Sequence, residues 1–282
     1  MNILTFDIEE WFHILDNRST KTEKDWSQYE SRIHQNMDRI YEILDNNNAK
    51  ASFFVLGWIA EKYPEIVRAI SDKGFEIGSH TTMHQLVYQQ DENQFRTDVE
   101  RSIKSLEDIS GEKVKMFRAP GFSITEKNKW AFEVLYELGI EIDSSIFPAN
   151  RTHGGLPNYG TSKPSILKYN GVQLKEFPIN THTILGEPVI YSGGGYFRIA
   201  PYFLIKQWTI EDDYIMSYFH PRDFDPSQPM IQSLSFLRKF KSYTGLKNAK
   251  IKLEKWLTDF DFLDIKSADE KINWDKSQII QL

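Results

Sequence analysis

Short apolar runs alternate with amphipathic stretches through the first half of this chain, and that rhythm restricts its fold more than any other feature. Asn2–Asp7 reads as a first strand. Ile33, Met37, Ile40, Tyr41 and Leu44 then repeat with the 3.6-residue period of a helix buried on one face. Asn46-Asn47-Asn48 ends that helix, and Ala51–Leu56 reads as a buried strand. A helix from Pro64 to Gly74 and a strand at Phe75–Gly78 follow, then a helix from Asp91 to Gly111 marked by Phe95, Val99, Ile103 and Leu106. Lys115–Arg118 is a strand, Trp130, Val134, Leu135 and Leu138 form one more stripe, Gly139 stops it, and Ile140–Asp143 is a strand. Strand and helix taking turns imply a parallel sheet or barrel, since parallel neighbours need a crossover between them.

From Asn150 to Ser192 glycine, proline and threonine are frequent, which predicts long loops with short strands at 166–169, 174–177 and 189–191. Pro201–Trp208 reads as a helix and Tyr214–Phe219 as a last buried strand. Beyond Asp225 the chain turns polar, with helices expected at 231–243 and 249–260. A chain of 282 residues fits one α/β barrel. We therefore expect a single domain over 1–282, with the barrel at about 1–225 and a helical extension over about 226–282.

Charge and composition narrow the function. A net charge of −6 argues against nucleic acid or an anionic membrane as partner. The absence of cysteine excludes thiolate metal sites, disulfides and cysteine nucleophiles. No basic, then apolar leader precedes the first strand, and Ala51–Ala60 is too short to span a bilayer, so a cytoplasmic protein is expected.

The groups able to do chemistry fall at the carboxyl ends of the strands, where barrels collect their active residues. His80 and His84 are spaced i and i+4. If that segment turns helically they share a face and supply two of the three protein ligands of an open metal site; otherwise they decorate a surface helix. Asp7 and Glu9 alternate along the first strand and point the same way while Ile8 enters the wall, which suits one carboxylate on metal and one on protons. Glu10 is read instead as an acid at a helix N-terminus. Arg118 ends a strand before the rigid Ala119-Pro120-Gly121 turn, and can orient Asp7 or form a structural salt bridge. His220 ends the last strand as a proton donor or a satisfied core residue. Gly193-Gly194-Gly195-Tyr196-Phe197-Arg198 lets backbone approach a ligand that Arg198 grips by a carboxylate or phosphate, or is a flexible loop with a surface arginine.

Taken together, Thr5-Phe6-Asp7, His80-Thr81-Thr82-Met83-His84, Arg118-Ala119-Pro120-Gly121 and Tyr218-Phe219-His220 resemble the motifs of the polysaccharide deacetylases, the NodB-like carbohydrate esterase family 4. The resemblance implies an α/β fold, a distorted (β/α)7 barrel of the NodB type, and hydrolysis of an N-acetyl group on a sugar by metal-activated water. It implies a divalent metal, usually Zn2+, on Glu9, His80 and His84, with Asp7 as base, His220 as acid and Arg118 beside them. Pro120, Gly121, Tyr196 and Arg198 are the expected substrate contacts, and an N-acetylated sugar or glycan is the expected partner. The glycine-rich segment and His220-Pro221 resemble a branch found with exopolysaccharide or surface-glycan biosynthesis.

Three departures stand out. Ile8 replaces the family's second aspartate, making Glu9 its natural substitute. Tyr218 replaces a leucine. The family's aspartate behind the acid histidine has no clear counterpart, although Asp143 lies in the right region. A cyclic-amide or ureide hydrolase on the same barrel, and a metal-free glycan-binding protein, are the alternative readings.

Overall fold

The computed structural model describes residues 1–15, 17–150, 153–184 and 186–282. Among them run twelve strands: β1 (Asn2–Ile3), β2 (Thr5–Ile8), β3 (Ser52–Val55), β4 (Glu76–Ser79), β5 (Met116–Phe117), β6 (Ile142–Asp143), β7 (Ser165–Tyr169), β8 (Val172–Glu176), β9 (His182–Ile184), β10 (Glu187–Val189), β11 (Ile215–Met216) and β12 (Gln278–Gln281). The main sheet has the order β12-β7-β8-β6-β5-β4-β3-β2. From β2 through β8 every neighbour is parallel, while β7 and β8 form an antiparallel hairpin. β2 and β3 are buried throughout, as their continuous apolar runs require of strands covered on both faces.

The sheet curls into a distorted barrel through its first and last strands. β1 pairs with β11 in parallel, and the ladder continues through Ser217 N to Ile3 O (2.9 Å), Phe219 N to Thr5 O (3.1 Å) and Asp7 N to Phe219 O (2.7 Å). On the other side of β11 a side chain spans the gap: Asn180, just past β8, accepts from Met216 N and from Ser192 Oγ, both at 3.1 Å. A buried amide here meets backbone and hydroxyl donors that would otherwise lack partners.

Helices at Ile33–Asn47, Pro64–Asp72, Glu92–Ser110, Ala131–Glu137 and Tyr202–Glu211 occupy the stretches where the sequence places them. Asn48 at φ 46 and Gly111 at φ 73 supply the left-handed stops of the first and third. The helix Gly57–Lys62 was not anticipated. It lies so close to Glu92–Ser110 that a Cβ on Gly57 would come within 2.9 Å of the Ser102 Cα, so glycine is what permits the approach.

Beyond Asp225 the expected helices occur at Phe236–Tyr243 and Leu246–Asp259, with a further one at Ile265–Lys271. The extension is not only helical: β12 returns to pair with β7 and forms the outer edge of the main sheet. Likewise the strand expected at 189–191 is displaced, with β10 ending at Val189. No helix among the described residues is long and apolar enough to cross a membrane.

Candidate active site

Asp7 is buried near the carboxyl end of β2, Glu9 follows that strand, and Ile8 between them enters the core. His80 leaves β4, Arg118 leaves β5, and His220 follows the pairing of residues 215–219 with the first strands. These residues from four parts of the chain line one cleft of ≈ 700 Å³, apart from Arg118, which stands behind Asp7.

The two histidines reach the cleft by a different route from the one expected. Residues 80–84 are not helical: Thr81 has φ 66 and His84 φ 52. The loop is pinned from two helices. Gly57 N and Trp58 N, at one helix start, donate to Thr81 O and Thr82 O at 2.8 and 3.2 Å. The Asp98 carboxylate accepts from Thr82 N and Met83 N at 2.9 and 3.2 Å. Loop carbonyls thus accept from helix amides while loop amides donate to a carboxylate, and the strained backbone is held in place.

The donor set suits a divalent cation. One atom each from Glu9, His80 and His84 lies within 4.8 Å of the others. His80 Nδ1 is 2.7 Å from Arg118 O, a backbone acceptor that fixes its tautomer and leaves Nε2 for a ligand. Glu9 Oε2 faces His84 Nε2 at 2.7 Å, yet makes no well-directed hydrogen bond although it is buried. Burial pushes His80 down to about 4, keeping it in the neutral form a metal needs. Burial alone would raise Glu9, but the imidazoles of His84, His220 and His80 outweigh it and take it to about 2. Two imidazoles and one carboxylate in this arrangement match zinc or a similar ion.

Asp7 is held by Arg118. The guanidinium is fully buried and donates from Nη1 to Asp7 Oδ1 and Thr5 Oγ1, both at 2.7 Å, from Nε to Ser144 O (3.2 Å) and from Nη2 to Ser144 Oγ (2.9 Å). It lies 4.1 Å from the Phe54 ring centroid. Asp7 Oδ2 is left facing His220 Nε2 at 3.9 Å, and Glu9 Oε1 is 3.6 Å from the same nitrogen.

Behind His220 stands a residue the sequence reading missed. Asp223 Oδ2 is 3.1 Å from His220 Nδ1 and accepts from His220 N at 2.9 Å. Burial opposes the Asp223 charge, but Arg198 and His220 hold it well below the usual carboxylate range. Burial would lower His220, and the carboxylates of Glu9, Asp223 and Asp7 outweigh it to raise it to about 9. The i, i+3 spacing of His220 and Asp223 across Pro221 was the available signal. Asp143 does not fill this role. It is buried against Ser145, whose Oγ donates to it at 2.6 Å, and beside Glu176, with burial raising both carboxyls.

Arg198 also departs from expectation. Its Nε is 3.2 Å from Asp223 Oδ1, and Nη1 and Nη2 donate to the Ser242 and Lys241 carbonyls at 2.9 and 2.8 Å. With these nitrogens engaged inside the protein, it braces Asp223 instead of gripping a ligand. Glycine at 193 has a steric cause, since a Cβ there would meet Tyr218 O at 2.2 Å. Tyr196 does line the cleft, half exposed, and so does Gly121 at φ 61, whereas Pro120 is buried at the start of its turn. Glu10 caps a helix, though not its own: it accepts from Arg32 N and Ile33 N at 2.8 and 3.1 Å at the start of Ile33–Asn47. His13, unremarked in the sequence, lines the cleft too; its Nδ1 accepts from Glu10 N at 3.3 Å.

Comparison with known proteins bears on the family and the fold. Residues 4–141 match the family described as Polysaccharide deacetylase, and residues 144–270 match a Domain of unknown function (DUF3473). Residues 4–141 thus carry a polysaccharide deacetylase domain of the NodB-like carbohydrate esterase family 4. It is 36% identical over 96 residues to a peptidoglycan-N-acetylglucosamine deacetylase of Bacillus cereus, covering 34% of this chain and 35% of that protein. It is 33% identical over 107 residues to a chitooligosaccharide deacetylase of Azorhizobium caulinodans, covering 32% of this chain and 51% of the other. The chain thus aligns with between about a third and a half of these relatives' lengths. A Mycobacterium smegmatis structure assigned to the polysaccharide deacetylases superposes with a TM-score of 0.65 at 19% identity, covering 99% of this chain and 92% of that one, and shows the shared fold.

Proposed function

We propose that the protein is a divalent-metal-dependent N-deacetylase that frees acetate from an N-acetylated sugar in a glycan or glycan precursor of a surface polysaccharide. The observation that carries this reading is the grouping of Glu9, His80 and His84 beside two further groups, Asp7 and His220, each braced by a buried partner of its own. Zn2+ or a similar ion on Glu9, His80 and His84 would supply Lewis acidity towards an amide carbonyl and acidify water.

The chain's own residues divide the proton work. Arg118 occupies Asp7 Oδ1, so Oδ2 is the atom that takes the proton of the attacking water. Attack at the acetyl carbon breaks the C–N bond once the nitrogen is protonated, and His220 Nε2, across the site from Asp7 Oδ2, gives that proton. Asp223 holds His220 Nδ1, which fixes the ring and favours its charged form, and Arg198 holds Asp223. Products are acetate and a free amine.

The cleft opens at the surface beside Tyr196, half exposed, and Leu237, mostly exposed, which suits an extended glycan better than the closed pocket a small cyclic amide would need. Asp7, Glu9, His80, His84 and Arg118 lie in the first matched segment, and Arg198, His220 and Asp223 in the second, which supports residues 1–282 acting as one catalytic unit. The test is acetate release from a panel of nucleotide-, lipid- and oligosaccharide-linked N-acetyl sugars, with allantoin-type amides included. Release from a sugar, lost in Asp7→Asn, is expected. Turnover of ureides alone would move the assignment to the small-amide alternative, and metal-loaded protein inert on every substrate would end the reading.

A further inference from the structure

The helix Phe236–Tyr243 has no buried residue. Phe236, Leu237 and Phe240 are 81%, 70% and 50% exposed, and their spacing puts them on one side of the helix. Leu237 and Phe240 line the cleft together with Tyr196 and Ile199 of the helix Gly194–Ile199. The two helices are fastened together where Arg198 binds the Lys241 and Ser242 carbonyls. Phe203, 70% exposed, lies in the first turn of the following helix, Tyr202–Glu211. Large side chains of this kind at the edge of a cleft mark an interaction site, because isolated proteins seldom expose apolar groups together.

Charge selects the occupant. Residues 236–256 contain seven lysines and arginines against one acid, Glu254, in a chain whose net charge is −6. Some are used internally: Lys252 binds the Phe197, Arg198 and Ala200 carbonyls, and Lys250 pairs with Glu42. Lys239, Lys241 and Lys247 ion-pair with no carboxylate among the described residues. A second copy docking on this face by a two-fold axis would set lysines against lysines. An anionic surface would complement them, and salt screening over about 8 Å makes this local charge count for more than the remote acids.

We propose that this face docks on a lipid bilayer bearing anionic phospholipid. Phe236, Leu237 and Phe240 enter the boundary between headgroups and acyl chains, the lysines meet the phosphates, and the cleft mouth faces the bilayer, as for a helix lying in the membrane plane. On this proposal the expectation from net charge, that no anionic membrane is a partner, does not hold, because the charge is unevenly placed. This docking holds whether or not the cleft deacetylates a sugar.

The test is co-sedimentation of the full chain with vesicles of phosphatidylcholine, alone or in equimolar mixture with phosphatidylglycerol. Binding should favour the mixed vesicles and weaken as salt rises. Phe236→Ser/Leu237→Ser should cut partitioning on the order of tenfold or more. Lys239→Glu/Lys241→Glu should remove the preference for anionic vesicles. If the first variant melts early, the lysine variant alone decides the question. No sedimentation with mixed vesicles, or sedimentation that neither variant changes, would overturn the proposal. So would a dimer that Phe236→Ser/Leu237→Ser dissolves while vesicle binding is absent, since the face would then belong to a second copy.

Discussion

Arg118→Met tests whether the Asp7 carboxylate depends on its buried partner. Methionine keeps most of the aliphatic bulk beside Phe54 but offers no donor. Asp7, 3% exposed, loses its ion pair with Arg118, and Thr5 Oγ1 and Ser144 lose donors. Breaking a buried pair by removing one partner costs about 3–5 kcal/mol, because the remaining charge stays desolvated. With Asp7→Asn already present, the guanidinium is a buried charge without its carboxylate and only its bonds to neutral acceptors are lost, so Arg118→Met should cost about 1–2 kcal/mol. The two changes should therefore couple by about 2–3 kcal/mol. Urea unfolding of the four proteins, followed by tryptophan fluorescence in chelator so that metal adds nothing by mass action, gives that coupling directly. Additive single variants, or an Arg118→Met protein as stable as wild type, would refute this account of the pair.

Further outcomes follow from neighbouring groups. Asp223→Asn should lower kcat on the order of 10²-fold or more with metal content unchanged, since His220 loses the carboxylate that orients it; an unaltered kcat would dismiss that role. Glu9→Gln should lose bound metal, whereas Glu10→Gln should retain it and lose on the order of 1 kcal/mol of stability as a weakened helix cap, both readable from elemental analysis and melting. Burial, aided by Asp264, raises Glu76 to about 7 against the opposing bonds from Ser52 and Lys266. Below about 4.5 both folded and unfolded states hold its proton, and between there and 7 only the folded state does, so its contribution to stability is lost as pH rises through 7. Glu76→Gln should then gain in melting temperature relative to wild type between pH 5 and pH 8; a constant difference would contradict it.

How far the sequence was legible depends on how local each signal is. The helix beginning at Ile33 shows its periodicity and its Asn48 stop within its own residues. The histidine spacing drew attention to the right segment but suggested a helix, because the contacts that bend it come from Asp98 and the start of Gly57–Lys62. Arg198 read as a ligand grip because its carboxylate, Asp223, and its carbonyl partners at 241 and 242 are distant in the chain. β12 has one buried residue, Ile280, so no alternation announced a strand; its place comes from pairing with β7. Barrel closure through the Asn180 side chain is similarly invisible without the neighbours it joins.

The most direct test of a metal-dependent deacetylase centred on Glu9, His80 and His84 is acetate release by chelator-stripped protein as Zn2+ is titrated back. Using a substrate identified from the sugar panel, stripped wild type should be inactive. Turnover should rise with added ion and level off at about one per chain, and His80→Ala/His84→Ala should stay inactive over the same range. Undiminished acetate release without metal, or equal activation of the double variant, would contradict the account.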